Sequence, residues 1–158
     1  MKKIFVIIAI CIGGALFVSF IKETGKSSFY KTPEDSLAIE RKKFITMIMD
    51  SLKGKEKIAA DSVFKNLQVF NSSERIPVPH FLAIMDYWGE ALTVNCTYCH
   101  SASNWSSDAL RTKRIARDMY TMRQRINHEI LPKIKDLSSK SAEVNCITCH
   151  NGKTIPQE

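Results

Sequence analysis

The first apolar block of the chain runs without a charge from Ile4 to Ile21 and follows two lysines, Lys2 and Lys3. Its eighteen residues place it between the core of a cleaved signal peptide and a full membrane span. No small-residue cleavage site follows, because the block ends in bulky side chains. The pattern predicts that residues 1–22 are a membrane anchor or signal segment. The remainder would then be exported to the periplasmic side of the inner membrane.

Three later blocks carry apolar residues at the three-to-four-residue spacing of a helix. The first covers about residues 32–54 and begins with a capping threonine, Thr32, then a proline and two acids. The second covers residues 79–92, and the third runs from near residue 107 to about residue 130, where Pro132 follows. The apolar positions are Leu37, Phe44, Ile45, Ile48, Met49 and Leu52 in the first block, Leu82, Met85, Trp88 and Leu92 in the second, and Ile115, Met119, Met122, Ile126 and Ile130 in the third.

Strand signals are weak in the rest of the chain, and 158 residues suffice for one domain beside the anchor. Residues 23–31 are polar and contain glycine and serine, as a linker does. The sequence therefore predicts a single, mostly α domain over residues 32–158, with few or no strands.

A seven-residue motif occurs twice, as VNCTYCH at residues 94–100 and VNCITCH at residues 144–150. Each copy has two cysteines three positions apart and a histidine directly after the second one. Each copy also follows a predicted helix. The predicted unit is thus a helix, a loop and C-x-x-C-H, used twice.

Three chemistries use paired cysteines at this spacing: zinc binding, disulfide exchange and covalent haem attachment. A disulfide-exchange motif would need a βαβ context that is absent from the sequence, and neither it nor zinc needs a histidine at this position in both copies. Haem attachment needs two thiols on one side of a helical turn and an adjacent imidazole for the iron. The sequence therefore predicts two covalently bound haem c groups. Their thiols would come from Cys96, Cys99, Cys146 and Cys149, and their proximal iron ligands would be His100 and His150.

The formal charge of +7 changes little in this interpretation. Lys2 and Lys3 belong to the predicted anchor and leave an excess of +5 on residues 22–158. An exported chain without an aromatic–basic recognition module is not expected to bind nucleic acid. The haem propionates would bring up to about four negative charges, so the basic excess does not identify a partner.

The second axial ligand of each haem remains open at this point. Met85 lies in the helix before the first motif, and Met119 and Met122 lie in the helix before the second. Methionine at helical spacing usually packs in a core. His80 and His128 are competing ligands.

Several segments resemble the cytochrome c subunit of photosynthetic reaction centres, and they are most similar to its smaller relatives in non-photosynthetic bacteria. The similarity covers about residues 60–156. The segments are KNLQVF at 65–70, IPVPHFLAIMDYWGEALTVNCTYCH at 76–100, KRIARDMYTMRQRIN at 113–127 and VNCITCHNGKTIP at 144–156.

The resemblance implies that the helix before each motif supplies an axial methionine. On this chain those ligands are Met85 for the first haem and Met119 for the second, with Met122 in reserve. The chain departs from the reaction-centre subunit in having two haem motifs where that subunit typically has four, so docking to a reaction centre is not implied.

The expected function is that of a periplasmic dihaem c-type cytochrome that relays single electrons between respiratory redox proteins, tethered to the membrane by its N-terminal segment. Such a carrier needs no small-molecule substrate and no catalytic residues. The alternatives are a peroxidase- or reductase-like haem enzyme with one open axial site, and an exported zinc scaffold.

Overall fold

The computed structural model describes residues 32–70, 75–139 and 141–156. The predicted anchor over residues 1–22 and the linker over residues 23–31 lie outside these ranges. None of the helices within them is long and apolar enough to cross a membrane.

The described part of the chain contains five α-helices. They are α1 (Pro33–Ser51), α2 (Ala60–Val63), α3 (Val78–Leu92), α4 (Arg111–Arg125) and α5 (Cys146–His150). A 3-10 turn spans Cys96–Tyr98, and α4 is followed by a π-helical turn over Ile126–Ile130 and a 3-10 turn over Leu131–Lys133. Strand pairing in the described ranges is limited to two isolated bridges. The prediction of a mostly α fold is confirmed.

Helix α1 begins as the sequence predicts. The Asp35 amide donates to the Thr32 hydroxyl over 3.1 Å, and the Thr32 amide donates back to the Asp35 carboxylate over 3.0 Å. This reciprocal pair satisfies two amides that the first turn of a helix leaves without backbone acceptors. Pro33 at the first helical position costs the helix no hydrogen bond, because its missing N–H would have had no acceptor there.

The small core forms around α3. Val78, Phe81 and Leu82 on this helix are buried together with Ala60 and Phe70. The Phe81 ring meets the Phe70 ring edge-on, with centroids 5.2 Å apart. Tyr120 brings α4 to the same cluster, since its ring centroid lies 5.1 Å from that of Phe70. Aromatic packing therefore fixes α4 relative to α3.

Helix α4 differs from the prediction at both ends. It begins at Arg111 rather than near residue 107, because the preceding loop contacts a distant segment of the chain: the Ser106 carbonyl accepts from the Asn66 side-chain amide over 2.6 Å. Beyond Arg125 the chain continues to Ile130 as a π-turn. Asn127 in this turn bonds through its side chain to a distant backbone segment.

The apolar stripe predicted along α4 is not part of the core. Ile115, Met122 and Ile130 are 42%, 45% and 53% exposed. The helix packs instead through Tyr120 and through the long side chain of Lys113, which is buried. The described residues thus leave an apolar surface on α4.

The loop after α5 is attached to the end of α3. The Gly152 amide donates to the Ala91 carbonyl over 3.0 Å. Gly152 has φ +82°, and a Cβ at this position would lie 3.2 Å from the Thr93 hydroxyl oxygen. The two copies of the repeat are therefore joined by a backbone contact that needs a glycine.

We expect Gly152→Ala to lower the free energy of unfolding by more than Gly54→Ala does. Gly54 also has a positive φ, of +86°, but a Cβ there would meet open space. Gly54→Ala should cost about 1–2 kcal/mol for the left-handed backbone alone, and Gly152→Ala should add the contact with Thr93. Denaturant titration of both variants of the purified protein measures the difference. Equal losses would contradict the role of the contact.

Candidate functional site

The first C-x-x-C-H motif folds as a tight turn directly after α3. Thr93 ends the helix in the left-handed conformation, with φ 52°. The amides of Cys99 and His100 both donate to the Cys96 carbonyl, over 3.3 and 3.0 Å. Burial raises the pKa of both thiols. The turn therefore presents two partly buried, neutral thiols and one imidazole from the same short segment.

Cys96 and His100 open into an apolar cavity of about 540 Å³. Its lining includes Met85 from α3, Phe44 from α1, and Cys96, His100 and Trp105. A smaller cavity of about 100 Å³ is lined by Met85 again and by Cys96, Cys99 and His100. The structure thus brings together all four residues that the sequence assigns to the first haem site.

A hydrogen bond to the backbone orients the imidazole of His100. Its Nδ1 lies 2.9 Å from the carbonyl oxygen of Trp105. A carbonyl can only accept, so Nδ1 carries the proton and Nε2 keeps its lone pair. Burial lowers the pKa of His100, which also favours the neutral ring. This is the protonation state in which an imidazole binds a metal.

A polar cluster supports the loop that carries Trp105. The ammonium of Lys113 donates to the Trp105 carbonyl over 3.0 Å, so this oxygen accepts from both Lys113 and His100. Asp108 pairs with Arg117 over 2.9 Å and accepts from the Asn66 amide over 2.9 Å. These two bonds hold the pKa of Asp108 below its usual range, and burial lowers the pKa of Lys113.

The second motif forms a short helix of its own, α5. The Asn145 side chain accepts from the Thr148 amide over 3.2 Å and caps the helix. His150 repeats the arrangement of the first site, because its Nδ1 lies 2.8 Å from the Lys153 carbonyl oxygen and its Nε2 keeps the lone pair. Burial raises the pKa of Cys146, while Cys149 is exposed.

The other candidate ligands lie apart from the two cavities at the first motif. Met119 is half-buried on α4, one helical turn before Arg123, and Met122 is exposed. His80 and His128 are both exposed. Of the five candidates, the structure places Met85 alone in the cavities that contain Cys96 and His100.

Sequence reasoning missed the residues that hold the backbone before each cysteine pair. Arg41 donates to the Val94 carbonyl, and Arg123 donates to the Val144 carbonyl. The Asn127 side chain also donates to Val144 and accepts from it, both over 2.9 Å. The repeated valine and asparagine before each cysteine pair were a signal that this backbone matters, but the sequence could not name the partners.

The residues at the first motif fit a haem c. Two thiols three residues apart, an imidazole with a free Nε2 and a thioether share an apolar cavity. In the described residues, no three His, Cys, Asp or Glu side chains are grouped as a protein-bound metal ion would require.

Comparison with known proteins agrees with this donor set. A family model described as photosynthetic reaction centre cytochrome c subunit matches residues 22–158. The chain belongs to this family. The resemblance predicted from the sequence is confirmed, and membership of a cytochrome c family implies covalently bound haem c.

Three curated relatives give the extent of the similarity. The photosynthetic reaction center cytochrome c subunit of Roseobacter denitrificans is 32% identical over 108 residues, which are 66% of this chain and 28% of the relative. That of Thermochromatium tepidum is 24% identical over 135 residues, 84% of this chain and 31% of the relative. Cytochrome c-554 of Chloroflexus aurantiacus is 34% identical over 68 residues, 43% of this chain and 16% of the relative. The chain therefore spans less than a third of the length of these proteins.

We expect the stability that Asp108 contributes to depend on pH. Because its folded-state pKa is depressed, the contribution is present above the ordinary aspartate pKa of about 3.9 and is lost as the pH falls through the folded-state value. The difference in free energy of unfolding between the wild type and Asp108→Asn should therefore shrink between about pH 6 and about pH 3. Arg117→Gln, which removes the main donor, should weaken the same dependence. Denaturant titrations at several pH values test this, and a difference that stays constant over the range would contradict it.

Proposed function

We propose that this protein is a dihaem c-type cytochrome that relays single electrons between respiratory redox proteins on the periplasmic side of the inner membrane. The observation that carries the proposal is the shared geometry of the two motifs. In each motif the histidine donates its Nδ1 proton to a main-chain carbonyl and keeps Nε2 for iron. A haem iron that alternates between the ferrous and ferric states supplies one-electron chemistry.

The first haem would be held by four residues at the apolar cavity. Cys96 and Cys99 would form the thioether bonds, His100 would be the proximal ligand, and Met85 would be the distal ligand. Methionine opposite histidine fills both axial positions, which suits electron transfer and leaves no site for a substrate. The lining is mainly apolar, with Phe44 on one side, and so suits an apolar macrocycle.

The second haem would be held by Cys146, Cys149 and His150, with Met119 as distal ligand and Met122 in reserve. Two observations support this assignment. Arg123 and Asn127 on and after α4 already bond to the backbone before this motif. Met119 precedes Arg123 by four residues and so lies close to the same side of the helix.

The exposed apolar side chains of α4 also favour a second haem beside this helix. Ile115 and Met122 are exposed on this helix, and Ile147 is exposed between the two cysteines of α5. A macrocycle attached to the second motif would cover apolar surface of this kind and remove it from water. The domain over residues 32–158 would then gain stability from two bound groups.

The partners we propose are other redox proteins of an electron-transport chain. Residues 1–22 would anchor the chain in the membrane and keep residues 32–158 near these partners. A photosynthetic reaction centre is not proposed as a partner, because this chain has two haem motifs where the reaction-centre subunit typically has four.

The purified protein should contain two c-type haems per chain and be low-spin in both oxidation states. Pyridine haemochrome analysis gives the count, and visible spectra give the spin state. Carbon monoxide should leave the reduced spectrum unchanged, because both axial positions are filled. One haem or none would overturn the dihaem assignment, and a high-spin component that binds carbon monoxide or cyanide would favour the enzyme alternative.

Met85→Leu and Met119→Leu should each remove about half of the methionine–iron charge-transfer band of the oxidised protein, if two such bonds contribute equally. Leucine keeps the apolar volume but has no sulfur. Met49→Leu is the matched control, because Met49 packs against the core cluster, and Met122→Leu tests the reserve ligand. A full band in Met85→Leu would contradict the first assignment. A full band in Met119→Leu with a reduced one in Met122→Leu would move the second assignment to Met122.

A further inference from the structure

An arginine binds the corresponding main-chain carbonyl at both motifs. In each, the carbonyl of the valine two residues before the first cysteine accepts a hydrogen bond from an arginine. Arg41 donates through Nη1 to Val94 over 3.2 Å, and Arg123 donates through Nε to Val144 over 3.2 Å. The two arginines come from different helices, α1 and α4, so the same contact is made at each motif by an unrelated part of the chain.

Arg41 is enclosed at the end of α3. Its side chain is 8% exposed and its Nε donates to the Asp86 carboxylate over 2.7 Å. Gly89 provides the space, because a Cβ at that position would lie 2.5 Å from the Arg41 Cδ. Through one planar guanidinium, Arg41 on α1 therefore binds both Asp86, which follows Met85, and the backbone before Cys96.

Arg123 is less enclosed. Its side chain is 27% exposed, it pairs with Glu143, and its guanidinium lies 5.9 Å from the centre of the Tyr120 ring. Tyr120 belongs to the aromatic cluster that fixes α4 on α3. Arg123 thus links the backbone before Cys146 to the core.

Against the effect of burial, the charge of each arginine lowers the pKa of the first cysteine in its own motif. Burial raises the pKa of Cys96, Asp86 raises it further, and Arg41 lowers it. Burial raises the pKa of Cys146, and Arg123 lowers it. Each guanidinium is hydrogen-bonded two residues before the first cysteine of its motif, and a positive charge in that place favours the less positive, reduced state of an iron bound nearby.

We propose that Arg41 and Arg123 are positioning residues, one for each haem motif, that fix the backbone before the cysteines and raise the reduction potential of the haem on their own motif only. This proposal rests on the proposed dihaem function. Each arginine is paired with a carboxylate, Asp86 for Arg41 and Glu143 for Arg123, so the effect of removing either arginine is to leave that negative charge beside the motif.

The first test is a potentiometric titration of the holoprotein followed by visible absorbance. Arg41→Gln should lower the potential of one component by about 59 mV, which is a tenfold change in a one-electron equilibrium constant. Arg123→Gln should lower the other component alone. Arg125→Gln is the matched control, because it removes the same charge from an exposed site on α4, and it should move neither component. Two components that shift together, or not at all, would overturn the proposal.

The second test separates position from charge and does not depend on the number of haems. Arg41→Lys keeps the charge but replaces the planar guanidinium, which donates to both Asp86 and Val94, by a single ammonium group. Amide hydrogen exchange should become faster at residues 94–100 in this variant and remain unchanged at residues 144–150. Arg123→Lys should give the reverse pattern. Equal acceleration at both motifs, or none, would contradict the positioning role.

The two tests distinguish the two proposals. A wild-type protein with fewer than two haems would overturn the dihaem function, and the hydrogen-exchange pattern would still decide whether each arginine holds its own motif. If a variant loads less haem, mass analysis of the two motif peptides identifies the motif affected. Loss confined to the motif next to the altered arginine supports the proposal, and loss at both motifs or at the distant one overturns it.

Discussion

The packing of α3 against Phe70 and Tyr120 is the contact on which the site depends. Met85 lies on this helix, Cys96 follows its end by four residues, and the loop after the second motif donates to Ala91 in its last turn. A shift of α3 would therefore move a candidate ligand, one haem motif and the attachment of the other at once. The helix is fixed by close aromatic contacts rather than by a large core, since six apolar side chains are buried in the described part of the chain.

A core of this size explains why the cavity at the first motif matters for stability as well as for function. Small domains bury a low fraction of their apolar surface and commonly need a covalent or metal-bound group to be stable. The walls of this cavity come from α1, α3 and the loop around Trp105. In the proposed function one macrocycle would join these three segments, so that folding and haem attachment would be coupled.

The sequence predicted the parts of the molecule that depend on local rules. The capping threonine, the prolines and the apolar spacing placed α1 and α3 to within about three residues. The two C-x-x-C-H motifs predicted haem attachment residues without reference to the fold. It failed where distant segments compete for the same residues. A helix was expected to begin near Ser107, but the carbonyl of the preceding residue, Ser106, accepts from the side chain of Asn66, 40 positions away. The apolar stripe on α4 had the spacing of a core face, yet spacing does not reveal whether protein or cofactor covers it. The bonds from Arg41 and Arg123 to the two valine carbonyls join residues 53 and 21 positions apart, and no local pattern encodes them.

The hydrogen bonding at the Trp105 carbonyl makes the environment of the His100 imidazole different from that of His150. This oxygen accepts from the Lys113 ammonium as well as from His100, whereas the described partner of His150 is the Lys153 carbonyl. A carbonyl already polarised toward a cation attracts the imidazole proton less, which leaves the ring a weaker electron donor through Nε2. The ferrous state would then be favoured at the first site relative to the second. In the proposed dihaem protein, an electron that arrives at the second motif would thus move downhill in free energy to the first.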